Sequence, residues 1–298
     1  MRKIGLIISI FILAFSCFVF FSIQNTGNSN EEATLADPKI GLVSNSTGSI
    51  EIPVLMYHIL LPGRNDSISV DPARFKEQML ALASAGYNTI TEAELLDYLE
   101  QKAALPEKPI LITFDDGYLS NYTEAFPILK ELNMKASIYV VASRIFEDSG
   151  SIAGEYPKIS WKQAREMRGT ISIQSHTWDS HSKQDNVQLQ SRGLITGPMQ
   201  MENGMETQAE FEERVYADFM ASKNAIEQNV GTQVTAISYP YGDYSADTIR
   251  LAEKAGYKMA FTVNSGMNSQ SSLPFELKRI TADGEYSGIE LINRIEAN

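Results

Sequence analysis

The chain has 298 residues, 43% of them hydrophobic and 21% charged, enough for one large globular domain or two small ones. Its net charge of −12 argues against a nucleic-acid partner, which would need a basic surface. The single cysteine, Cys17, lies in an N-terminal apolar segment, which excludes a disulfide framework or a thiolate zinc site from the rest of the chain.

Behind Arg2 and Lys3, residues 4–23 form an apolar run of about the ~20 residues that cross a bilayer as a helix. Its exit, Phe20-Phe21-Ser22-Ile23-Gln24-Asn25, lacks a small-x-small cleavage signal. We therefore expect residues 1–24 to be an uncleaved signal anchor with its basic end inside the cell and the remainder outside. A cleaved signal peptide, which would release the protein, is the alternative. Residues 25–48 are dominated by Asn, Ser, Thr, Gly and Glu without periodicity and are expected to be a flexible linker, leaving residues 49–298 as one folded domain.

That domain opens with an apolar strand over residues 52–58, ending in His58. Asp71 and Pro72 read as the N-cap and first residue of a helix stopped by Gly86, with Phe75, Met79, Leu80, Leu82 and Ala83 on one face. Thr91 and Glu94 form a capping box for a helix through Tyr98. Residues 110–114 are a second strand, followed by a helix near 121–132 and a strand at 136–141. Ser160 and Gln163 open a short helix, and residues 171–174 run as a strand into Ser175-His176. Residues 182–206 have no usable period and are expected to form a long functional loop. Thr207 and Glu210 start a helix that buries Phe211, Val215, Phe219 and Ile226. A strand at 234–239, a Pro240-Tyr241-Gly242 turn, a helix at 246–255, a strand at 258–263 and a helix near Ile289 close the chain. This alternation predicts an α/β protein, a (β/α) barrel of about seven parallel strands.

The chemistry-bearing residues cluster by position. His58, Asp115, Asp116, His176 and Tyr241 all fall at or just beyond the C-terminal ends of predicted strands, the rim that carries active sites in such barrels. The chain has three histidines, and the remaining one, His181, follows His176 on the same loop. Two histidines and a carboxylate make a three-ligand metal set with a position left for water. Adjacent acids leaving a strand point different ways, so one of Asp115 and Asp116 can bind the metal while the other acts as base.

Thr113-Phe114-Asp115-Asp116-Gly117 followed by His176-Thr177 and His181 resembles the polysaccharide deacetylases of carbohydrate esterase family 4, over roughly residues 53–280. The resemblance implies a distorted β/α barrel, Asp115 as general base, and Asp116, His176 and His181 as ligands of one divalent metal ion, with zinc expected and cobalt, nickel or iron as alternatives. Three departures are informative. The two histidines are five residues apart rather than four; the family's arginine-proline-tyrosine segment appears as Ser238-Tyr239-Pro240-Tyr241-Gly242, without the arginine that tunes the base; and no histidine follows His181 to supply the usual general acid. The branch that deacetylates poly-β-1,6-N-acetylglucosamine of biofilm matrix is similar in these respects. By that resemblance Tyr57-His58 supplies the acid from the first strand.

The implied reaction is metal-assisted amide hydrolysis, with Asp115 taking a proton from the attacking water, the Tyr241 backbone N–H holding the oxyanion and His58 protonating the departing amine. Trp178, Tyr239 and Tyr241 are candidates for stacking on sugar rings. Expected partners are the polysaccharide, the membrane through the anchor, and the machinery that makes or exports the polymer. The competing readings are an N-deacetylase of peptidoglycan or chitooligosaccharides, an O-deacetylase of xylan, and a non-catalytic polysaccharide-binding module. A retaining glycosidase is disfavoured because its two carboxyls come from separate elements about 5 to 5.5 Å apart.

Overall fold

Alternation along the strand Pro109–Asp115 sets the frame of the molecule. Ile110, Ile112 and Phe114 join the large apolar layer between sheet and helices, whereas Leu111 joins a second, smaller cluster with Ile52, Val54, Tyr139, Met259 and Phe261. A strand with both faces buried has an inner and an outer row, and Thr113 and Asp115 share the parity of the inner row. The computed structural model describes residues 50–148, 150, 152–185, 191–202 and 204–298. The expected anchor and linker lie outside the described residues, among which no helix is long and apolar enough to cross a membrane.

The main sheet is parallel throughout. Its order is Met259–Phe261, Ala236–Ser238, Ile171–Ser175, Ala136–Val140, Pro109–Asp115, Val54–Tyr57 and Ile280–Thr281, with Asn88–Thr89 pairing onto the start of Pro109–Asp115. The two ends approach each other through a parallel bridge between Phe261 and Leu277, just ahead of the last strand. This is the distorted barrel expected from the alternation of elements, with Ile280–Thr281 as a strand the periodicity did not reveal.

The helices start where their capping residues are. Asp71 accepts from the Ala73 N–H ahead of α1 (Pro72–Ser84), and capping boxes at Thr91, Ser160 and Thr207 open α2 (Glu92–Leu99), α4 (Trp161–Glu166) and α5 (Gln208–Val230). Between them, the expected helix at 121–132 is a π-turn over Asn121–Ala125 followed by α3 (Phe126–Glu131). Pro127 has no N–H to give to the preceding turn, which accounts for the wider start. The chain ends with α6 (Ala246–Lys254) and α7 (Gly288–Glu296).

Two expectations require correction. Leu80 is 45% exposed and Ala83 is also exposed, so α1 buries the narrower stripe of Phe75, Gln78, Met79 and Leu82; Gln78 is tied inward by the Tyr57 hydroxyl at 2.9 Å. The segment 182–206 is not a featureless loop. Lys183–Asp185 pairs antiparallel with Ser191–Gly193, and Gln200–Met201 with Gly204–Met205. Arg214 on α5 fastens this segment through the Glu206 carboxylate at 2.7 Å and the Leu194 carbonyl at 3.1 Å.

Candidate active site

Asp115 is the last residue of its strand and follows the inner row, so its carboxylate is carried inside the barrel rim. There Arg279, itself 1% exposed, grips it with both arms of its guanidinium: Nη1 donates to Oδ1 at 2.8 Å and Nη2 to Oδ2 at 2.7 Å. The guanidinium is fixed in turn by the Thr262 carbonyl at 2.8 Å and the Ser238 hydroxyl at 2.8 Å. The Ser238 hydroxyl donates in turn to Asp115 Oδ2 at 3.1 Å. Burial works to raise the Asp115 carboxyl, but Arg279 and His176 outweigh it and hold the group at about 2. The arginine expected to be missing is therefore present, delivered from the start of the last strand instead of the Ser238-Tyr239-Pro240 segment.

Asp116 leaves the strand with φ of 71°, which turns its carboxylate away from Arg279 and toward the histidines. Oδ1 lies 3.1 Å from His181 Nε2 and 3.5 Å from His176 Nε2. Despite those distances Oδ1 is buried without a geometrically sound hydrogen bond, and one ligand atom from each residue falls within 4.8 Å of the others. Three electron-pair donors aimed at one space, with an orphaned carboxylate oxygen among them, fit a divalent cation. The donor chemistry agrees. His176 Nδ1 faces the Ser238 carbonyl at 2.7 Å, an oxygen that can only accept, so the proton sits on Nδ1 and the Nε2 lone pair is free. Burial pushes the His176 imidazolium down to about 4, which keeps the ring neutral as a ligand must be. For Asp116, burial raises the carboxyl but His181 and His176 hold it well below the usual carboxylate range.

The metal-side loop is shaped from behind by α5. Asp218 accepts from the backbone N–H of Trp178 and of Asp179, each at 2.9 Å, and from the Ser180 hydroxyl at 2.9 Å. Three non-glycine residues with left-handed backbone flank the reacting space: Asp116, Thr177 with φ of 77° and Tyr241 with φ of 61°. Each such residue costs on the order of 1 kcal/mol, a strain that structures retain where a side chain or amide must face a set direction. The turns beside them leave no space for a side chain. A Cβ on Gly117 would lie 2.9 Å from Val140 Cγ1, and one on Gly242 would lie 2.9 Å from the Val263 backbone nitrogen.

His58 stands at the end of the first strand. Its carbonyl accepts from Asn121 Nδ2 at 2.8 Å, the π-turn residue, and its Nδ1 is buried without a partner. Burial lowers its pKa, opposed by the charges of Asp115 and Asp116. All three histidines thus couple to the acid pair. Tyr241 lays its ring 4.8 Å from that of His181 and is 42% exposed. The short helical turn Pro240–Gly242 uses the N–H groups of Gly242 and Asp243, so the Tyr241 amide is not spent within it. Trp178 is 38% exposed, in reach of a ligand on the rim. Tyr239 is not: it is fully buried and stacks on Tyr244 at 5.3 Å, so the expectation that it contacts sugar is wrong. One strand residue earlier faces the site and the next faces the outer core, which is why Ser238 and Tyr239 differ.

A barrel rim with a carboxylate–histidine metal set and a separately charged, guanidinium-held acid defines a metal-dependent hydrolase. Comparison with known proteins narrows it: residues 102–260 match the polysaccharide deacetylase family, and the chain belongs to that family. It is an enzyme, a polysaccharide deacetylase. YxkH of Bacillus subtilis (strain 168), a candidate polysaccharide deacetylase, is 34% identical over 239 residues, which are 80% of this chain and 74% of that protein. The poly-β-1,6-N-acetyl-D-glucosamine N-deacetylase of Escherichia coli (strain K12) is 29% identical over 223 residues, 69% of this chain but only 32% of that longer protein. Among solved structures, a de-N-acetylase from Aggregatibacter actinomycetemcomitans superposes with a TM-score of 0.73 at 24% identity, covering 82% of this chain and all of that one, and shares the fold.

Proposed function

We propose that this enzyme removes N-acetyl groups from N-acetylglucosamine units of poly-β-1,6-N-acetylglucosamine in biofilm matrix. The observation that carries the reading is the source of the acid. No histidine follows His181 in the chain, and His58, on the first strand, presents a buried imidazole under the field of Asp115 and Asp116. The E. coli relative named for that polymer supports the choice of substrate.

Asp116, His176 and His181 would hold a divalent cation, with zinc the first candidate, which would supply Lewis acidity to the acetyl carbonyl and would lower the pKa of water to about 7. Asp115, kept ionised and aimed by Arg279, accepts the proton of the attacking water. A carboxylate gripped this firmly is a weak base, so Asp115 gives the proton up to solvent as acetate leaves, and His58, which donates as the imidazolium, is re-protonated from solvent. The Tyr241 N–H donates to the negative charge that develops on the acetyl carbonyl oxygen, and His58 protonates the amine as the C–N bond breaks, giving glucosamine and acetate. Trp178 and Tyr241 flank the bound sugar. We further place this chemistry outside the cytoplasmic membrane, tethered by the apolar run at residues 4–23 and its polar linker, where polymer emerging from its synthesis or export machinery would pass.

Acetate release from poly-β-1,6-N-acetylglucosamine, chitooligosaccharides and peptidoglycan, each with and without chelator and with metals restored singly, tests the reading. Chelator-sensitive release from the β-1,6 polymer, faster than from the others, is expected. Release from another polymer alone would reassign the substrate.

A further inference from the structure

Beside the metal set lies a cavity of about 240 Å³ that none of the steps above uses. Asp116 and His181 form its inner edge, and Tyr118, Tyr156, Lys158 and the Arg144–Glu155 ion pair form its wall. The wall is built rather than incidental. Residues 117–119 and 157–159 run antiparallel, joined by a bridge between Tyr118 and Lys158 and by hydrogen bonds from Leu119 N to Pro157 O at 2.8 Å and from Ile159 N to Gly117 O at 2.9 Å. That pairing fixes Lys158 to the loop that carries both catalytic acids. Its ammonium lies 3.7 Å above the Tyr118 ring, and Tyr156, half exposed, meets the same ring edge-on at 6.2 Å.

Lys158 is 8% exposed, and among the described residues no carboxylate pairs with it. The nearby acids are otherwise engaged: Glu155 binds Arg144 at 2.7 Å, and Asp116 faces His176 and His181. A buried cation over one phenol ring, with a second phenol edge-on to that ring and the cavity reaching the reacting centre, fits a pyranose ring whose oxygens accept hydrogen bonds and whose C–H face packs on an aromatic. It does not fit a second cation.

We propose that this cavity is a subsite for the sugar next to the one being deacetylated, and that Lys158 makes it accept an N-acetylated unit and disfavour one already bearing a free ammonium. The inference rests on the N-deacetylase reading and deepens it. An acetamide is neutral and offers its carbonyl to Lys158, whereas the product amine takes up a proton and places like charges in one cavity. At a few ångströms and partial burial that repulsion corresponds to about ten-fold in rate. The product would then carry glucosamine units spaced apart, not in blocks.

The test uses wild-type enzyme on a fully acetylated β-1,6 pentamer and on pentamers with one glucosamine at each defined position, reading acetate release and, by tandem mass spectrometry, its site. A matching β-1,4 set runs alongside. A glucosamine on one side of a target unit should slow that unit about ten-fold, less at high salt. Lys158→Gln should abolish the difference and yield adjacent glucosamines, while Lys158→Arg should keep it. Release from the pentamers without any neighbour effect in wild type, or with the same effect in Lys158→Gln, overturns the subsite. No release from any pentamer of either linkage overturns the deacetylase reading itself. The wild-type comparison stands even where a variant fails to fold.

Discussion

Replacing Arg279 with methionine removes the charge and keeps most of the volume, and its cost can be worked from the contacts around Asp115. In the native protein the carboxyl is moved from 3.8 to about 2, a displacement that corresponds to roughly 2 kcal/mol of stabilisation of the ionised form. That contribution is complete above the unfolded pKa and is lost as pH falls through the folded one. Without the guanidinium, desolvation is opposed only by the nearby histidines, His176 first among them, and the carboxyl rises. The buried acid then destabilises the fold increasingly as pH rises above its unfolded pKa. Breaking a buried pair by removing one partner costs about 3–5 kcal/mol, and the Ser238 hydroxyl and Thr262 carbonyl lose partners as well. Urea denaturation of wild type and Arg279→Met between pH 3 and pH 8 should show a gap that widens with pH, with Arg279→Lys intermediate because it keeps charge and loses the fork. A gap under about 1 kcal/mol that does not change with pH would refute the reasoning.

Further outcomes follow from the site. Asp115→Asn should retain metal by elemental analysis and lose acetate release by roughly 10²-fold or more, whereas His176→Ala should lose both. His58→Ala should slow hydrolysis of N-acetylglucosamine oligomers far more than that of an activated acetyl ester, whose leaving group needs no proton; equal losses would remove His58 from the acid role. Asp218→Ala frees the amides of Trp178 and Asp179 and should weaken metal affinity about 10–100-fold in competition titrations, with partial rescue of activity by excess metal.

The readable parts of this protein are those with local causes. The TFDDG strand can be placed because an apolar run buried on both faces rarely ends in two acids and a glycine unless the acids are used. The helix starts can be placed because a capping residue and its partner sit three positions apart. Arg279 is not readable. It lies in Leu277-Lys278-Arg279-Ile280, next to a strand of two residues that is too short to show a period, and its partner is 164 residues away. Its only outward signal is a charge set into an apolar run. The segment where the family carries its arginine holds Ser238 instead, which does support the base, but by a hydroxyl while its carbonyl orients His176. The small hairpins of 182–206 escape notice because their pairing rests on contacts with Arg214 and Asp243 more than on strand-forming residues. Tyr239 is misplaced by sequence because an aromatic beside a rim loop has no mark for which side of the sheet it takes.

The separation between Asp115 and Arg279 also bears on how the protein comes to be folded. Asp115, Asp116, His176 and His181 are all present once residue 181 has been made, yet the counter-charge of Asp115 arrives only with residue 279. Before the final strand docks beside Val54–Tyr57, burial of Asp115 has no guanidinium to offset it and favours the protonated carboxyl. A chain truncated before residue 279 would keep the paired strands that lead to His58, Asp115, His176 and Ser238, but would leave the buried Asp115 carboxylate without its counter-charge.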